Sequence, residues 1–516
     1  MTSAHLDHSP ALYLLIGIIL VCLLPLSRRK ARRYPPGPRR LPIIGNLFDV
    51  PKDFGWKRHK ELSRKYGSDL VHFEVFGTHI VVVNSAQAAK DLLDKRSNIY
   101  QDKQHSVMIH ELTGWHRNFS LLPYGAGWRT RRRLFHQHFR PMAVPQYHSR
   151  QTKSVHTLLQ MLLDTPNEYR EHIRFMTGST ILDIVFGFDI EHDDPRLEQV
   201  ERGVQTAMEF MASGVYLVDI FPVLKHIPSW FPGAGFKRQT AKWKVLVDAM
   251  HEIPYYQFKE TMREGKAKPC FASTLLSGAE DASYGSESAD EVFMSLTGTA
   301  YVAGSDTTLS TLNCFVLAMV QFPHVQATAQ GELDRVLQRK RLPEIEDRES
   351  MPYVTAVVHE VLRWHSVLPL GLPHRTLADD EYNGYFIPAG SVIVANSWGM
   401  LHDEALFPEP DVFKPGRFLR PDGSLNPNAH FPIETFGFGR RICPGRYFAQ
   451  DLLWLTIANV LATFKLERPL DEDGREIELS GEFTPRVLSM PEPFDCRITP
   501  RFEGAEHLVR SAQLHD

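Results

Sequence analysis

Cysteine is scarce in this 516-residue chain. The five present, Cys22, Cys270, Cys314, Cys443 and Cys496, are odd in number and form no CxxC pair. That excludes a disulfide framework and a structural zinc site, and leaves any cysteine chemistry to one residue acting alone, in a domain on the reducing side of a membrane. A basic excess is also missing. The formal net charge is −3, so there is no electrostatic footprint for nucleic acid. The chain has no internal repeat and no low-complexity block. Hydrophobic residues at 43% and charged residues at 23% exclude disorder over most of the length.

A long uncharged run stands at Ala11–Leu26 (ALYLLIGIILVCLLPL), stopped by Arg28, Arg29, Lys30, Arg32 and Arg33. As helix it covers roughly 24 Å, short of a hydrocarbon core of about 30 Å. Flanking Tyr, Ser and His residues and local bilayer thinning can absorb that mismatch. A cleaved signal peptide wants positive charge before the run and a small-x-small site after it. Here MTSAHLDHSP carries no Lys or Arg, and the cations follow. The asymmetry predicts a transmembrane helix and basic stop over residues 1–30, with the rest of the chain in the cytoplasm. The Asn118 sequon is then on the wrong side for glycosylation. Residues 31–46, which include PPGPRRLPIIGN, read as a stiff non-helical linker that sets the angle to the membrane. No second linker follows, so residues 47–516 read as one large domain.

Within that domain helical periodicity dominates, with strand-like runs at 70–83 and 382–396, which predicts a mainly α fold with small β-sheets. The stretch from Ser288 to Phe322 contains no proline. Ser288 and Glu291 make a capping box at its start and Pro323 closes it, giving roughly 50 Å of helix. Its centre, Ala303-Gly304-Ser305-Asp306-Thr307-Thr308, is poor helix sequence, each of Gly, Ser, Asp and Thr costing up to about 1 kcal/mol against alanine. Such an override marks either a functional centre or a close helix contact.

The strongest motif is residues 436–446, Phe436-Gly437-Phe438-Gly439-Arg440-Arg441-Ile442-Cys443-Pro444-Gly445-Arg446. Gly437, Gly439 and Gly445 allow a tight turn whose N–H groups point at the Cys443 sulfur, as a thiolate metal ligand requires. Arg441 is placed to meet an acidic cofactor group, and Pro444 suits the first turn of a following helix. The glycines do not make a dinucleotide loop, because Ile442 takes the third-glycine position. No other convincing nicotinamide fingerprint is present, so electrons must come from elsewhere.

This segment resembles the haem-binding loop of the cytochromes P-450, FxxGxRxCxG, with Phe436, Gly439, Arg441, Cys443 and Gly445 at the specified positions. Other segments follow in register. Ala303–Thr307 matches [AG]Gx[DE]T of the family's oxygen-activating helix. Glu360-Val361-Leu362-Arg363 resembles ExxR. Phe413–Phe418 resembles the PERF segment, with Gly416 in place of the usual glutamate but Arg417 retained, so a Glu360–Arg363–Arg417 cluster is expected to hold the fold. Trp128-Arg129-Thr130-Arg131-Arg132 resembles WxxxR. The resemblance covers nearly the whole chain and implies the cytochrome P-450 fold, haem b on the Cys443 thiolate, and haem contacts from Trp128, Arg132, His374, Phe436 and Arg441. Buried propionates require such cations. Arg129, Arg131 and Arg133 read as a solvated basic face, able to meet an acidic electron donor.

The resemblance further implies a haem-thiolate monooxygenase in the endoplasmic reticulum membrane. It would use dioxygen and electrons from NADPH through NADPH-cytochrome P-450 reductase, with cytochrome b5 an optional second donor, and Asp306 and Thr307 would relay protons. A haem-thiolate isomerase or dehydratase, or a non-catalytic haem-binding protein, would share the loop but needs no acid–alcohol pair. Met108, Phe119, Leu122, Phe210, Val215, Phe293, Leu296, Val367, Leu368, Leu370, Leu372 and Val487 are candidate walls of an apolar pocket for a small hydrophobic substrate. Connecting phrases such as LPLGLPHRTLADDEYNGYFIPAG resemble fungal members that tailor secondary metabolites, which points to a terpenoid or similar product.

Overall fold

The computed structural model of the protein describes residues 32–212, 216–278, 284 and 287–512. The run Ala11–Leu26, Cys22 and the cations at 28–30 lie outside the described residues, as do Val215 and the side chain of Phe210.

The longer helices are α1 (Gly55–Tyr66), α2 (Ala126–Phe139), α3 (His148–Asp164), α4 (Tyr169–Phe186), α5 (Pro195–Ala212), α6 (Gly235–Arg263), α7 (Ala289–Gln321), α8 (Pro323–Leu337), α9 (Pro352–Trp364), α10 (Arg446–Thr463) and α11 (Ala505–Ala512). The expected long helix is α7, and its ends are where local chemistry puts them. Ser288 Oγ accepts from the Glu291 N–H at 3.2 Å, and the Glu291 carboxylate accepts from the Ser288 N–H at 2.9 Å. Pro323, at the first position of α8, closes it.

Helix α7 is the centre of the core and packs against α4, α6, α9 and α10. Its glycines are contact residues. A Cβ on Gly304 would lie 2.7 Å from Ile181 Cδ1 of α4, and one on Gly298 would lie 2.2 Å from His251 Cδ2 of α6. Helix packing therefore accounts for part of the odd composition at 303–308.

The small sheets are local. Strands β1 (Leu70–Val75) and β2 (Thr78–Val83) form a hairpin across Phe76-Gly77, both at positive φ (47° and 82°) as a two-residue turn of right-handed twist requires. Strand β3 is His374–Arg375. Asn383-Gly384 turns β4 (Asp380–Tyr382) into β5 (Tyr385–Ile387) in the same way, and β6 (Val392–Ala395) joins β2 in parallel, giving the order β1-β2-β6-β3. Strands β7 (Phe464–Glu467) and β8 (Arg497–Pro500) form a separate pair.

The Pro-rich stretch runs along β1. The His72 N–H donates to Pro36 O at 2.9 Å, the Glu74 N–H donates to Asn46 Oδ1 at 3.0 Å, and a Cβ on Gly37 would lie 1.9 Å from His72 O. Arg33 O accepts from the Phe386 N–H at 2.7 Å, tying the end of the basic run to β5.

Among the described residues no single helix is long and apolar enough to cross a membrane. Helices α7 and α8, bent by 103° where they meet, reach the required length and composition only as a pair, and α7 is the buried core helix.

Candidate active site

The turn carrying Cys443 is held from both ends. The Cys443 N–H donates to Phe436 O at 2.8 Å, closing the loop, and Arg446 Nη1 donates to Cys443 O at 3.0 Å. Gly439 must be glycine. It sits at φ 55°, and a Cβ there would lie 2.1 Å from Leu93 O. Burial pushes the Cys443 thiol up, while the Gly445 N–H, Arg132 and Arg446 pull it back toward the thiolate. Of the N–H groups expected at the sulfur, the structure thus supplies that of Gly445. Pro444 lies outside α10, whose N-cap is Gly445, and so ends the loop instead of starting the helix.

Cations gather beside this loop. Arg132, one turn after Trp128 on α2, donates through Nη1 to Ile442 O at 2.6 Å. Arg441 donates to Gln101 O at 2.8 Å and Leu122 O at 2.9 Å, and its guanidinium lies 4.4 Å from the centre of the Trp128 ring. Burial holds both guanidinium groups down at about 10. His374 pairs through Nδ1 with Tyr100 O at 2.8 Å. Its pKa is driven well below normal by burial and then by Lys103 and Arg441, so the ring is neutral and, with Nδ1 donating, Nε2 is an acceptor. It becomes a donor to a carboxylate only when that carboxylate's charge allows protonation.

Lys103 belongs to the same cluster. Its ammonium is fully buried and donates to Leu372 O at 2.8 Å and Pro373 O at 2.9 Å. Nothing in the local sequence marks it. Its role depends on chain segments 269 and 270 positions away.

These residues fit haem. Buried positive charge needs compensating anions, yet the carboxylate that acts on Arg441 and Lys103 is that of Asp102, which also accepts from the Tyr124 N–H at 2.8 Å. Arg441 Nη1 is buried with no partner among the described residues. A pair of propionates would satisfy Arg441, Arg132, Lys103 and His374, and Cys443 would be the iron ligand. Among the described residues no three His, Cys, Asp or Glu side chains gather to hold a bare ion. Ala303 is exposed in the middle of a helix buried on either side of it, as the wall of an open space would be.

Thr307 shares the face of Ala303 on α7 and donates its hydroxyl to Ala303 O at 2.7 Å, leaving the oxygen free to accept from water. Asp306 sits at the edge of that face, on the floor of a cleft lined by Arg174, Thr177, Glu201, Val204, Gln205, Tyr301 and Ser305. Burial pushes its carboxyl up, and Arg174 lowers it in part. Thr308 is buried and points elsewhere.

The expected cluster behind the site forms. The Glu360 carboxylate accepts from Arg363 at 2.8 and 2.9 Å, from Arg417 Nε at 3.1 Å to each oxygen, and from the Lys414 N–H at 2.7 Å. Gly416, where the family usually has glutamate, faces open space, so the departure disturbs nothing.

Two expectations need correcting. Arg131 is not on a solvated face. It is buried, donates to Glu287 at 2.6 and 2.9 Å and to Ser295 Oγ at 3.0 Å, and ties α2 to the start of α7, whereas Arg129 and Arg133 are exposed. Met108, Phe293 and Leu296 show at most 1% of their surface even to a water-sized probe, so they are core and not pocket wall. Phe119 and Val367 are also buried, Val487 is exposed, and Leu122, Leu368, Leu370 and Leu372 remain partly accessible.

The cytochrome P450 family pattern matches residues 35–495. The chain is 42% identical to cytochrome P450 monooxygenase ple1 of Rhodocybe pseudopiperita, over 98% of this chain and 97% of that one. It is 40% identical to cytochrome P450 monooxygenase 98 of Postia placenta, over 97% of each. It is 38% identical to tryptamine 4-monooxygenase of Psilocybe cyanescens, over 95% of this chain and 97% of that one. Members of this family carry haem b on a cysteine thiolate and take electrons from NADPH through a reductase. With the FxxGxRxCxG loop folded around Cys443 and cations gathered beside it, the chain belongs to the cytochrome P450 family, as an oxidoreductase of the monooxygenase type.

Proposed function

We propose that this monooxygenase oxidises a small, neutral, hydrophobic secondary metabolite of terpenoid type, with electrons passed from NADPH by NADPH-cytochrome P-450 reductase. The observation that carries the reading is the pairing of the Cys443 loop with a helix holding Asp306 and Thr307. Cys443, Arg132, Arg441, Lys103 and His374 would hold haem, which would supply the dioxygen chemistry with the thiolate as electron donor. Thr307 orders water on its free lone pairs, and Asp306, raised by burial, is suited to pass protons. An isomerase would need neither. One relative is named for tryptamine, an amine, and an amine calls for a carboxylate in the pocket. Leu122, Leu368, Leu370 and Leu372 are partly accessible apolar side chains, which suits a hydrophobic substrate.

Attachment to the endoplasmic reticulum membrane by a single N-terminal span, with residues 47–516 cytoplasmic, is part of the same proposal. It is supported by apolar side chains exposed in and just after the Pro-rich stretch and in the segment before α6. Ile43 (88% exposed), Phe48, Val223 and Trp230 are exposed, and the turn residue Phe76 stacks edge-on against Phe221 at 5.5 Å. The exposed Arg129, Arg133 and Arg440, near the Cys443 loop, suit an acidic electron donor. The test is reconstitution. Reduced protein with carbon monoxide should absorb at about 450 nm, as thiolate-ligated haem does. Membranes carrying the chain should oxidise a terpenoid panel only with NADPH, dioxygen and added reductase. Cys443→Ala should lose both, and a Cys443→Ala protein with normal turnover would refute the assignment.

A further inference from the structure

We infer that Glu201 on α5 is the outer proton carrier for Asp306, feeding it through the cleft between α4, α5 and α7. The inference rests on the monooxygenase reading above and assigns a positioning and relay role to residues that no family motif specifies.

Polar side chains from all three helices line the cleft. Arg174 and Gln205 are exposed at its mouth, Glu201 is half-buried, and Tyr301, Ser305 and Asp306 line the α7 side, with Thr177 and Val204 completing the wall. It has room for about one water molecule, enough to bridge two carboxyl groups. The Tyr301 hydroxyl marks it as a built site. The residue is 2% exposed, and its buried oxygen has no hydrogen-bond partner among the described residues. A buried hydroxyl without a partner costs about 1–3 kcal/mol, and a water in the cleft would satisfy it. A Cβ on Gly178 would lie 2.6 Å from Leu197 Cδ1 and 3.1 Å from that hydroxyl, so the glycine makes room for both.

Helix geometry explains the direction. At about 100° per residue, Tyr301 and Ser305 share one face of α7 and Ala303 and Thr307 another, with Asp306 between them. The Asp306 carboxylate can therefore take a proton on the cleft side and present it on the Thr307 side after a side-chain rotation. Ser305 does not compete, because its hydroxyl donates to Tyr301 O at 3.0 Å.

The charges suit a carrier. From α4, Arg174 lowers both carboxyls. From α5, Glu198 raises Glu201, and from α7, Asp306 raises it further. Burial, the largest influence, raises both carboxyls toward the neutral form, so each can hold a proton and release it. A proton leaving the Glu201 carboxyl moves through the bridging water to the Asp306 carboxylate, and Glu201 is recharged from bulk water. Electrons arrive separately through the reductase.

The test reads NADPH-driven dioxygen consumption by membranes carrying the full chain and added reductase, in H2O and D2O, with the carbon monoxide band certifying the haem site of every variant. Reduction of dioxygen to hydrogen peroxide or water consumes protons, so with superoxide release scored separately no substrate need be known. Glu201→Gln should slow consumption about tenfold and enlarge the solvent isotope effect, with Glu201→Asp recovering most of the rate. Asp306→Asn should be slower still, and the Glu201→Gln/Asp306→Asn double variant no slower than Asp306→Asn, because the two act in series. Arg202→Gln, on the exposed neighbour, should match wild type. Tyr301→Phe removes only the hydroxyl and provides a second handle should Glu201→Gln fail to fold. It should enlarge the isotope effect with little change in stability. A wild-type rate and isotope effect in Glu201→Gln, or in Tyr301→Phe where that handle is used, or multiplicative losses in the double variant, would remove Glu201 from the relay and leave the monooxygenase reading intact. No NADPH-dependent consumption by wild type would overturn both.

Discussion

Replacing Glu360 by glutamine keeps the side chain's volume and removes one charge from the least accessible ion cluster described. The side chains of Glu360 and Arg363 are 0% exposed and that of Arg417 is 8% exposed. One carboxylate serves two guanidinium groups and the Lys414 N–H. In Glu360→Gln an NH2 donor faces guanidinium donors, and two buried cations share a neutral amide. Breaking a buried pair by removing one charge costs about 3–5 kcal/mol, a large share of a typical net stability of about 5–15 kcal/mol. Arg417→Lys is the milder perturbation. It keeps the charge but gives up the planar fork that also holds Pro408 O at 2.8 Å and Val412 O at 3.2 Å, for about 1–2 kcal/mol. Urea unfolding followed by far-UV circular dichroism, beside the carbon monoxide band per mole of protein, should rank wild type above Arg417→Lys above Glu360→Gln in midpoint. The surviving folded fraction of each should turn over normally. A Glu360→Gln midpoint equal to wild type would refute the reasoning, and so would lost turnover at unchanged midpoint, which would place the cluster in the chemistry.

Thr307→Ala should keep the carbon monoxide band and continue to oxidise NADPH while releasing more hydrogen peroxide per product. Thr308→Ala should leave coupling unchanged because its side chain is buried elsewhere, and peroxide yield against product separates the two. Arg131→Ala should cost about 1–3 kcal/mol in denaturant stability and Arg129→Ala close to nothing, since only Arg131 is buried and holds charge-assisted hydrogen bonds to Glu287. His430 bonds Glu434 at 2.7 Å, and that bond raises its pKa above 6.5. The stabilisation is therefore complete below about pH 6.5 and lost as pH rises through the raised value. Stability curves at pH 6 and pH 8.5 should diverge in wild type and converge in His430→Ala.

Features set by neighbouring residues were legible without a structure. The ends of α7 follow from Ser288, Glu291 and Pro323, and the Cys443 loop from glycines within a few positions of the sulfur, whereas the strand-like run at 382–396 divides between the β4–β5 pair, which turns at Asn383-Gly384, and β6 of a separate sheet. Backbone geometry and capping are short-range and leave their mark in consecutive letters. The Glu360 cluster was legible for another reason, since its members stand in recognisable motifs. Charge burial was not legible. Arg131 and Arg129 look alike in Trp-Arg-Thr-Arg-Arg, and only Glu287, 156 positions on, draws one inward. Lys103 is an isolated lysine until the carbonyls of Leu372 and Pro373 fold over it. The apolar residues Met108, Phe293 and Leu296 suit a pocket or a core equally by hydrophobicity, and close packing made them core. Asp306 belongs to a motif, but that its carboxyl lies on the floor of a cleft with Glu201 and Tyr301 depends on how α4 and α5 lie against α7. The sequence by itself determined the chemistry available, because residue type and short spacing carry it. Tertiary structure decided which charges lose water and which neighbours they meet, because desolvation depends on everything within a few ångströms, most of it distant along the chain.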